Sequence, residues 1–213
     1  MAAYDHEEQE QLAELKAWWS DHGNMVVTFL SVVVIILAAW QGWNFYQRSQ
    51  AAEASALYEA VQKAARANDL KQVRESAGAI LAQYPRTAYA AMAALVSAKA
   101  HFQGGELKTA HAQLAWVSEN ARDDALQDIA RLRLAGVMLD EKANEDALKL
   151  LEAKHGAAFD AQYLATKGDA LVALGRNGDA RGAYAAALEK TIAADGGLRE
   201  SVQLRLDALG AAK

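Results

Sequence analysis

The chain has 213 residues, no cysteine and a formal net charge of −5 at pH 7. The lack of cysteine excludes disulfides, thiolate chemistry and cysteine metal sites. Six of the 27 acidic residues but only one of the 22 basic ones, Lys16, precede Arg48. The rest of the chain is therefore neutral, which gives no electrostatic reason to expect nucleic-acid binding. The acidic N-terminal head also argues against docking on anionic lipid.

An uncharged segment from Gly23 to Gln47 follows the head, and within it Met25–Trp40 reads MVVTFLSVVVIILAAW. A bilayer core is crossed by about 20 mostly apolar helical residues. The pattern predicts a head over residues 1–22, a transmembrane helix over 23–47 and a domain over 48–213. Aromatic residues flank the segment, as is typical of membrane–water interfaces. The predicted interface residues are Trp18, Trp19, Trp40, Trp43 and Tyr46.

Two other interpretations of this segment fit less well. The core helix of a soluble domain rarely lacks charge for so long. A secretory signal has a basic start, a shorter apolar region and a small-residue cleavage site, whereas this head is acidic and the segment ends in bulky aromatics. We therefore expect an uncleaved membrane anchor. Charge leaves the orientation undecided. The three basic residues after the span, Arg48, Lys63 and Arg66, outnumber the one before it and favour a cytoplasmic domain, but this bias is weak.

From Arg48 onward the sequence predicts only helices, because apolar residues recur at i, i+3, i+4 and i+7 without strand-like alternation. Helices of about 12–18 residues are expected between tight turns. The turn segments are 67–73, 104–110, 141–147 and 174–180, and their last residues are 37, 37 and 33 apart. Such a period indicates a solenoid of repeated helical hairpins.

The hairpins resemble tetratricopeptide repeats more than another α-solenoid. Each has a small or branched residue twelve positions before the end of its turn segment, namely Val61, Ala98, Ala135 or Gly168. Four positions after that end lies Ala77, Leu114, Leu151 or Tyr184. Gly168, Ala180 and Tyr184 form the best copy, and Pro85 lies where the first repeat closes. The predicted fold is all-α: one transmembrane helix, then a tetratricopeptide-like α-solenoid of about four helical hairpins and a capping helix at Leu198–Leu209.

The first helices of such hairpins line a concave groove that receives a partner's segment. The predicted groove residues are Met92, Leu95, Lys99, Phe102, Ile129, Leu132, Leu139, Gln162, Asp169 and Val172. The alternative is that several of these residues pack against neighbouring helices.

No motif in the sequence indicates catalysis or cofactor binding. The five histidines lack metal-site spacing, the glycine pairs at residues 104–105 and 196–197 belong to turns, and no nucleophile motif occurs. We therefore expect a non-enzymatic protein without metal or cofactor, whose function is to bind other proteins.

The head, the span and the repeats together resemble the YfgM family of ancillary SecYEG translocon subunits over the full length. The family's head has a Tyr, a run of Glu and Gln, a Lys followed by aromatics, and a final Gly. The matching residues here are Tyr4, Glu7, Glu8, Gln9, Glu10, Lys16, Trp18, Trp19 and Gly23.

The resemblance implies a single-pass protein of the bacterial inner membrane, with the head in the cytoplasm and the repeats in the periplasm. It also implies association with SecYEG and with the membrane-anchored periplasmic chaperone PpiD, in the handling of newly translocated proteins. The competing interpretation is a periplasmic repeat scaffold of another envelope machine, for outer-membrane assembly, cell-wall synthesis or cytochrome maturation.

Overall fold

The computed structural model describes residues 2–191 and 195–210, with side chains from residue 11 onward. The side chains of five predicted head residues lie outside this description: Tyr4, Glu7, Glu8, Gln9 and Glu10. The described residues form nine α-helices and a short 3-10 turn at Ala157–Phe159. The helices are α1 Ala2–Arg66, α2 Leu70–Gln83, α3 Ala88–Gln103, α4 Leu107–Asn120, α5 Asp124–Asp140, α6 Asn144–Leu150, α7 Asp160–Ala173, α8 Asn177–Lys190 and α9 Gly196–Ala208.

The chain divides into two compact units, Met1–Ser49 and Gln50–Lys213. In the first unit, α1 exposes nearly all of its large apolar side chains. The hydroxyl groups of Thr28 and Ser31 donate to carbonyl oxygens one turn earlier, at 2.7 and 2.8 Å, so neither needs water. By length and composition, α1 is the helix among the described residues that is able to cross a membrane.

The second unit consists of four helical hairpins and a final helix, which confirms the predicted all-α repeat architecture. The C-terminal part of α1 packs on α2 through the cluster that contains Val61, Ala64 and Val73. The pairs α3–α4, α5–α6 and α7–α8 follow. Apolar clusters form within and between successive hairpins, so that the core extends along the array. Val202 on α9 is fully buried in the last cluster, as expected for a capping helix.

The repeat positions identified in the sequence lie where the helices cross. All twelve are buried: Val61, Val73, Ala77, Ala98, Ala110, Leu114, Ala135, Ala147, Leu151, Gly168, Ala180 and Tyr184. At Gly168, a Cβ atom would lie closer than 3.0 Å to three ring atoms of Tyr184. The fourth hairpin is therefore held at a distance that only glycine allows.

Each hairpin turn has the same hydrogen-bonding pattern. The turn residues Asn68, Gly105, Lys142 and Gly175 have φ between 53° and 78°. In each turn the following amide donates to a carbonyl five residues earlier, as Asp69 does to Ala64 at 3.0 Å. This is the Schellman arrangement that ends many helices. It recurs with the 37, 37 and 33 spacing of the sequence repeat.

The third hairpin differs from the predicted helix lengths. Helix α6 has seven residues instead of about 12–18, and a loop leads from it to α7. The loop is fixed by Asp128 on α5, whose carboxylate accepts a hydrogen bond from the amide of Gly156 at 2.9 Å. Tertiary hydrogen bonding outweighs helix propensity in this segment.

Candidate partner-binding groove

An apolar groove of about 550 Å³ lies between helices α3 and α5. Phe102 forms one wall and is 42% exposed, whereas Ala98, Leu114 and Val137 form a buried floor. A pocket of this size and lining falls within the range of about 300–1,000 Å³ typical of binding sites. The lining residues are Ala98, Lys99, Phe102, Leu114, Arg133, Gly136, Val137, Leu139 and Asp140.

Gly136 opens the groove. A Cβ atom built on this residue meets no heavy atom within 4 Å outside its own helix turn. The repeat spacing places Gly136 at the position of Lys99 in the hairpin before and of Asp169 in the hairpin after. A side chain is therefore missing where the neighbouring hairpins have one. Gly136 is not among the groove residues predicted from the sequence, although the period of 37 residues relates it to the predicted groove residue Lys99.

The charges at the rim of the groove are mostly positive. Lys99 and Arg133 are exposed, and neither has an ion-pair partner among the described residues. Asp140 is the acidic residue of the lining. A second cavity of about 340 Å³ adjoins the first at Lys99, and its lining adds Arg66 from the end of α1. Three cations and one carboxylate therefore border the two cavities.

The structure distributes the predicted groove residues over three kinds of environment. Lys99, Phe102 and Leu139 line the groove. Met92 and Val172 are also exposed, at 37% and 38%, but lie outside that lining. The residues that pack against neighbouring helices are Leu95, Ile129 and Leu132.

The last two predicted residues take part in local hydrogen bonds. The side-chain amide of Gln162 donates to Asp195 at 3.5 Å. The Asp169 carboxylate accepts the hydroxyl hydrogen of Tyr184 at 2.7 Å and a guanidinium hydrogen of Arg205, on α9, at 2.8 Å. Burial raises the pKa of Asp169, although both of these partners act to lower it. Burial and Asp169 also raise the pKa of Tyr184.

A second polar network connects α5 with α7 and with the loop that precedes α7. Asp128, only 2% exposed, accepts hydrogen bonds from Arg131 at 3.0 Å, from the hydroxyl group of Tyr163 at 3.1 Å and from the Gly156 amide. Burial, with Asp128 as a further cause, raises the pKa of Tyr163 to about 12. The ring of His155 stacks on Tyr163 with centroids 3.8 Å apart. No pattern in the sequence indicates this network.

The predicted interface aromatics are exposed along α1. Trp18, Trp19, Trp40, Trp43 and Tyr46 are between 48% and 64% exposed. Their contact with a membrane interface stays a prediction. Among the described residues, no group of three or more His, Asp or Glu side chains is placed to hold a metal ion.

Comparison with known proteins places the whole chain in a family. Residues 16–211 match the model of a tetratricopeptide repeat-like domain. The ancillary SecYEG translocon subunit of Neisseria gonorrhoeae is 30% identical over 207 residues, which cover 95% of this chain and 97% of that protein. The chain belongs to the family of ancillary SecYEG translocon subunits.

Other members of this family align over most of their length. The protein of the same description from Haemophilus influenzae is 29% identical, covering 81% of this chain and 84% of its own. The one from Escherichia coli is 27% identical, covering 98% and 99%. The similarity to the Neisseria gonorrhoeae and Escherichia coli proteins therefore extends over nearly the full length of this chain.

Proposed function

We propose that this chain is a membrane-anchored accessory subunit of the SecYEG translocon that binds other proteins and catalyses no reaction. The observation that carries the proposal is the alignment with an ancillary SecYEG translocon subunit over 95% of this chain. The tetratricopeptide-like fold supports a binding function, since such arrays present extended surfaces to partner segments.

The proposed location is the bacterial inner membrane, crossed once by residues 23–47. The head, residues 1–22, lies in the cytoplasm, and the repeat domain, residues 48–213, lies in the periplasm. The uncharged segment and the outward-facing apolar side chains of α1 support the span. The exposed aromatic residues at its two ends support contact with the lipid bilayer.

Cysteine labelling tests the orientation. Because the natural chain has no cysteine, single cysteines at Ala13 and at Ser118 are the sole reactive thiols of each variant. In intact cells with a permeable outer membrane, a membrane-impermeant maleimide should label Ser118→Cys and spare Ala13→Cys. The reverse pattern would place the repeats in the cytoplasm.

The proposed partners beyond SecYEG are a membrane-anchored periplasmic chaperone of the PpiD kind and newly translocated proteins. The groove between α3 and α5 supports this step, because its apolar floor and open side suit a segment that is not yet folded. The description of the family names SecYEG but neither of these two further partners.

A pull-down from native membranes in mild detergent tests the function. Full-length protein should recover SecY and a membrane-anchored chaperone, and a variant lacking residues 1–47 should lose SecY. The matched control replaces residues 1–47 with an unrelated single-span anchor. Recovery of outer-membrane, cell-wall or cytochrome-maturation factors without SecY would overturn the proposal in favour of a scaffold for another envelope machine.

A further inference from the structure

The groove between α3 and α5 combines an apolar floor with cations that the domain does not neutralise. From Arg48 onward the chain has 21 basic and 21 acidic residues, so a local excess of one sign is a property of the site. Lys99 and Arg133 line the groove, and Arg66 lines the cavity that adjoins it. Only Asp140 opposes them in these two linings.

We propose that this groove binds a polypeptide segment of another protein in which bulky apolar residues are flanked by carboxylates. The inference deepens the proposed function and rests on it for the source of the segment, which is a protein that the translocon delivers. The chemistry of the segment follows from the groove itself.

The floor of the groove binds the apolar part of the segment. Ala98, Leu114 and Val137 are buried beneath the opening, and Phe102 stands beside it with 42% of its surface exposed. Because Gly136 contributes no side chain, an incoming leucine or phenylalanine is able to approach the backbone of α5. Covering an exposed aromatic wall with such a side chain removes apolar surface from water on both partners.

The cations at the rim of the groove attract the acidic part of the segment. Lys99 and Arg133 come from neighbouring helices and have no ion-pair partner among the described residues. Some other cations of the array are paired, such as Arg74 with Glu106, Arg176 with Asp179 and Arg205 with Asp169, whereas most of its described lysines form no ion pair. Cations left unpaired beside an apolar opening favour carboxylates and disfavour lysine and arginine in the bound segment.

Peptide binding to the full-length protein tests this specificity. The protein is placed in phosphatidylcholine nanodiscs, and three fluorescent 12-residue peptides share two leucines and one phenylalanine. Their flanking residues are aspartate and glutamate, serine, or lysine, and empty nanodiscs give the background. We expect the acidic peptide to bind about tenfold more tightly than the lysine peptide, with a difference that shrinks at high salt.

Two variants locate the binding site. Gly136→Leu fills the groove and should weaken the acidic peptide about tenfold or more. Its matched control is Gly182→Leu, a substitution in the interior of α8 where a Cβ atom also meets nothing within 4 Å. The double variant Lys99→Glu/Arg133→Glu should abolish the preference for the acidic peptide, while the serine peptide keeps its affinity within about twofold. Unfolding curves verify that each variant is folded.

Several results would overturn the inference. These are equal affinity for acidic and lysine peptides, equal effects of the two leucine variants, or no binding of any peptide. A groove occupied by a second copy of the chain would appear as nanodisc dimers that Gly136→Leu separates, and this would also overturn it. If SecY copurifies while the peptides fail, the groove chemistry is wrong and the accessory function stands. If the peptides bind as expected while SecY is absent, the proposed function fails and the specificity remains.

Discussion

The concave surface of the repeat domain is open beside Gly136 and closed beside Asp169, although these residues occupy the same position in consecutive hairpins. Beside Gly136 the exposed cations Lys99 and Arg133 lack ion-pair partners among the described residues. The carboxylate of Asp169 accepts hydrogen bonds from Tyr184 and Arg205, and these bonds join α7 to α8 and to the capping helix α9.

The same repeat position therefore lines an open groove in the middle of the array and forms stabilising hydrogen bonds at its end. A solenoid has to cover its last hairpin, and here a charged residue of the concave surface contributes to that cover. The middle hairpins have neighbours on both sides. Their concave positions therefore have no such structural role and are free to form a groove.

The largest expected effect concerns the buried carboxylate of Asp128 on α5. Asp128→Ala removes a buried carboxylate and leaves the guanidinium of Arg131 and the hydroxyl group of Tyr163 without this acceptor. Breaking a buried charged pair of this kind costs about 3–5 kcal/mol of unfolding free energy. Urea unfolding of the full-length protein in micelles measures the loss, with Glu119→Ala at an exposed position of α4 as a comparison. A loss no greater than that of Glu119→Ala would contradict the role of this network.

Two glycine-to-alanine substitutions should act in opposite directions. Gly168→Ala forces a methyl group against the Tyr184 ring and should destabilise the domain by about 1–3 kcal/mol. Gly136→Ala meets open space and should stabilise it by up to about 1 kcal/mol through helix propensity. Thermal unfolding of the two variants tests the pair. A Gly136→Ala variant that unfolds earlier than the natural chain would show that the groove is not open as described.

Removing the carboxylate at Asp169 should loosen the end of the array. Asp169→Ala takes away the partner of Tyr184 and Arg205 and, because these groups are partly exposed, should cost about 1–2 kcal/mol. Hydrogen exchange of α9 measures the effect locally, and α3 should keep its protection. Unchanged exchange in α9 would contradict a role of Asp169 in holding the capping helix.

The smallest expected effect is a pH dependence that involves α3. Burial lowers the pKa of His101, outweighing Glu106, which acts to raise it. A base whose pKa is lower in the folded state stabilises the fold fully above its unfolded pKa of about 6.5, and this contribution is lost as the pH falls through that value. Natural protein should therefore lose more stability between pH 7.5 and pH 5 than His101→Gln. Parallel curves for the two proteins would contradict the prediction.

The sequence predicts the architecture well because the residues that recur at the repeat period are the buried ones. Residues such as Val61, Ala98 and Ala135 are conspicuous at a fixed period, and each is fully or almost fully buried. The same period locates the four hairpin turns. Small residues at a helix crossing have few alternative conformations, so their place in the sequence nearly determines their place in the fold.

The groove is less predictable from sequence. Lys99, Phe102 and Leu139 are placed in it by the repeat, but Leu95 on the same helix packs into the core. The partners of Asp169 come from two other helices, and such long-range contacts have no local pattern. The short length of α6 is equally difficult to predict, because the loop after it is held by Asp128, more than 20 residues earlier in the chain.

Photo-crosslinking at two equivalent positions tests most directly whether partner proteins bind the open part of the concave surface. Phe102 and Val172 are exposed residues at corresponding repeat positions, one in the groove and one on the closed last hairpin. A benzoyl-phenylalanine replaces each in turn in the full-length protein, and irradiated native membranes are analysed by mass spectrometry. Crosslinks to translocon-associated or newly translocated proteins from position 102, with few from position 172, are the expected result. Equal crosslinking at both positions, or crosslinking from 172 alone, would contradict binding at the groove.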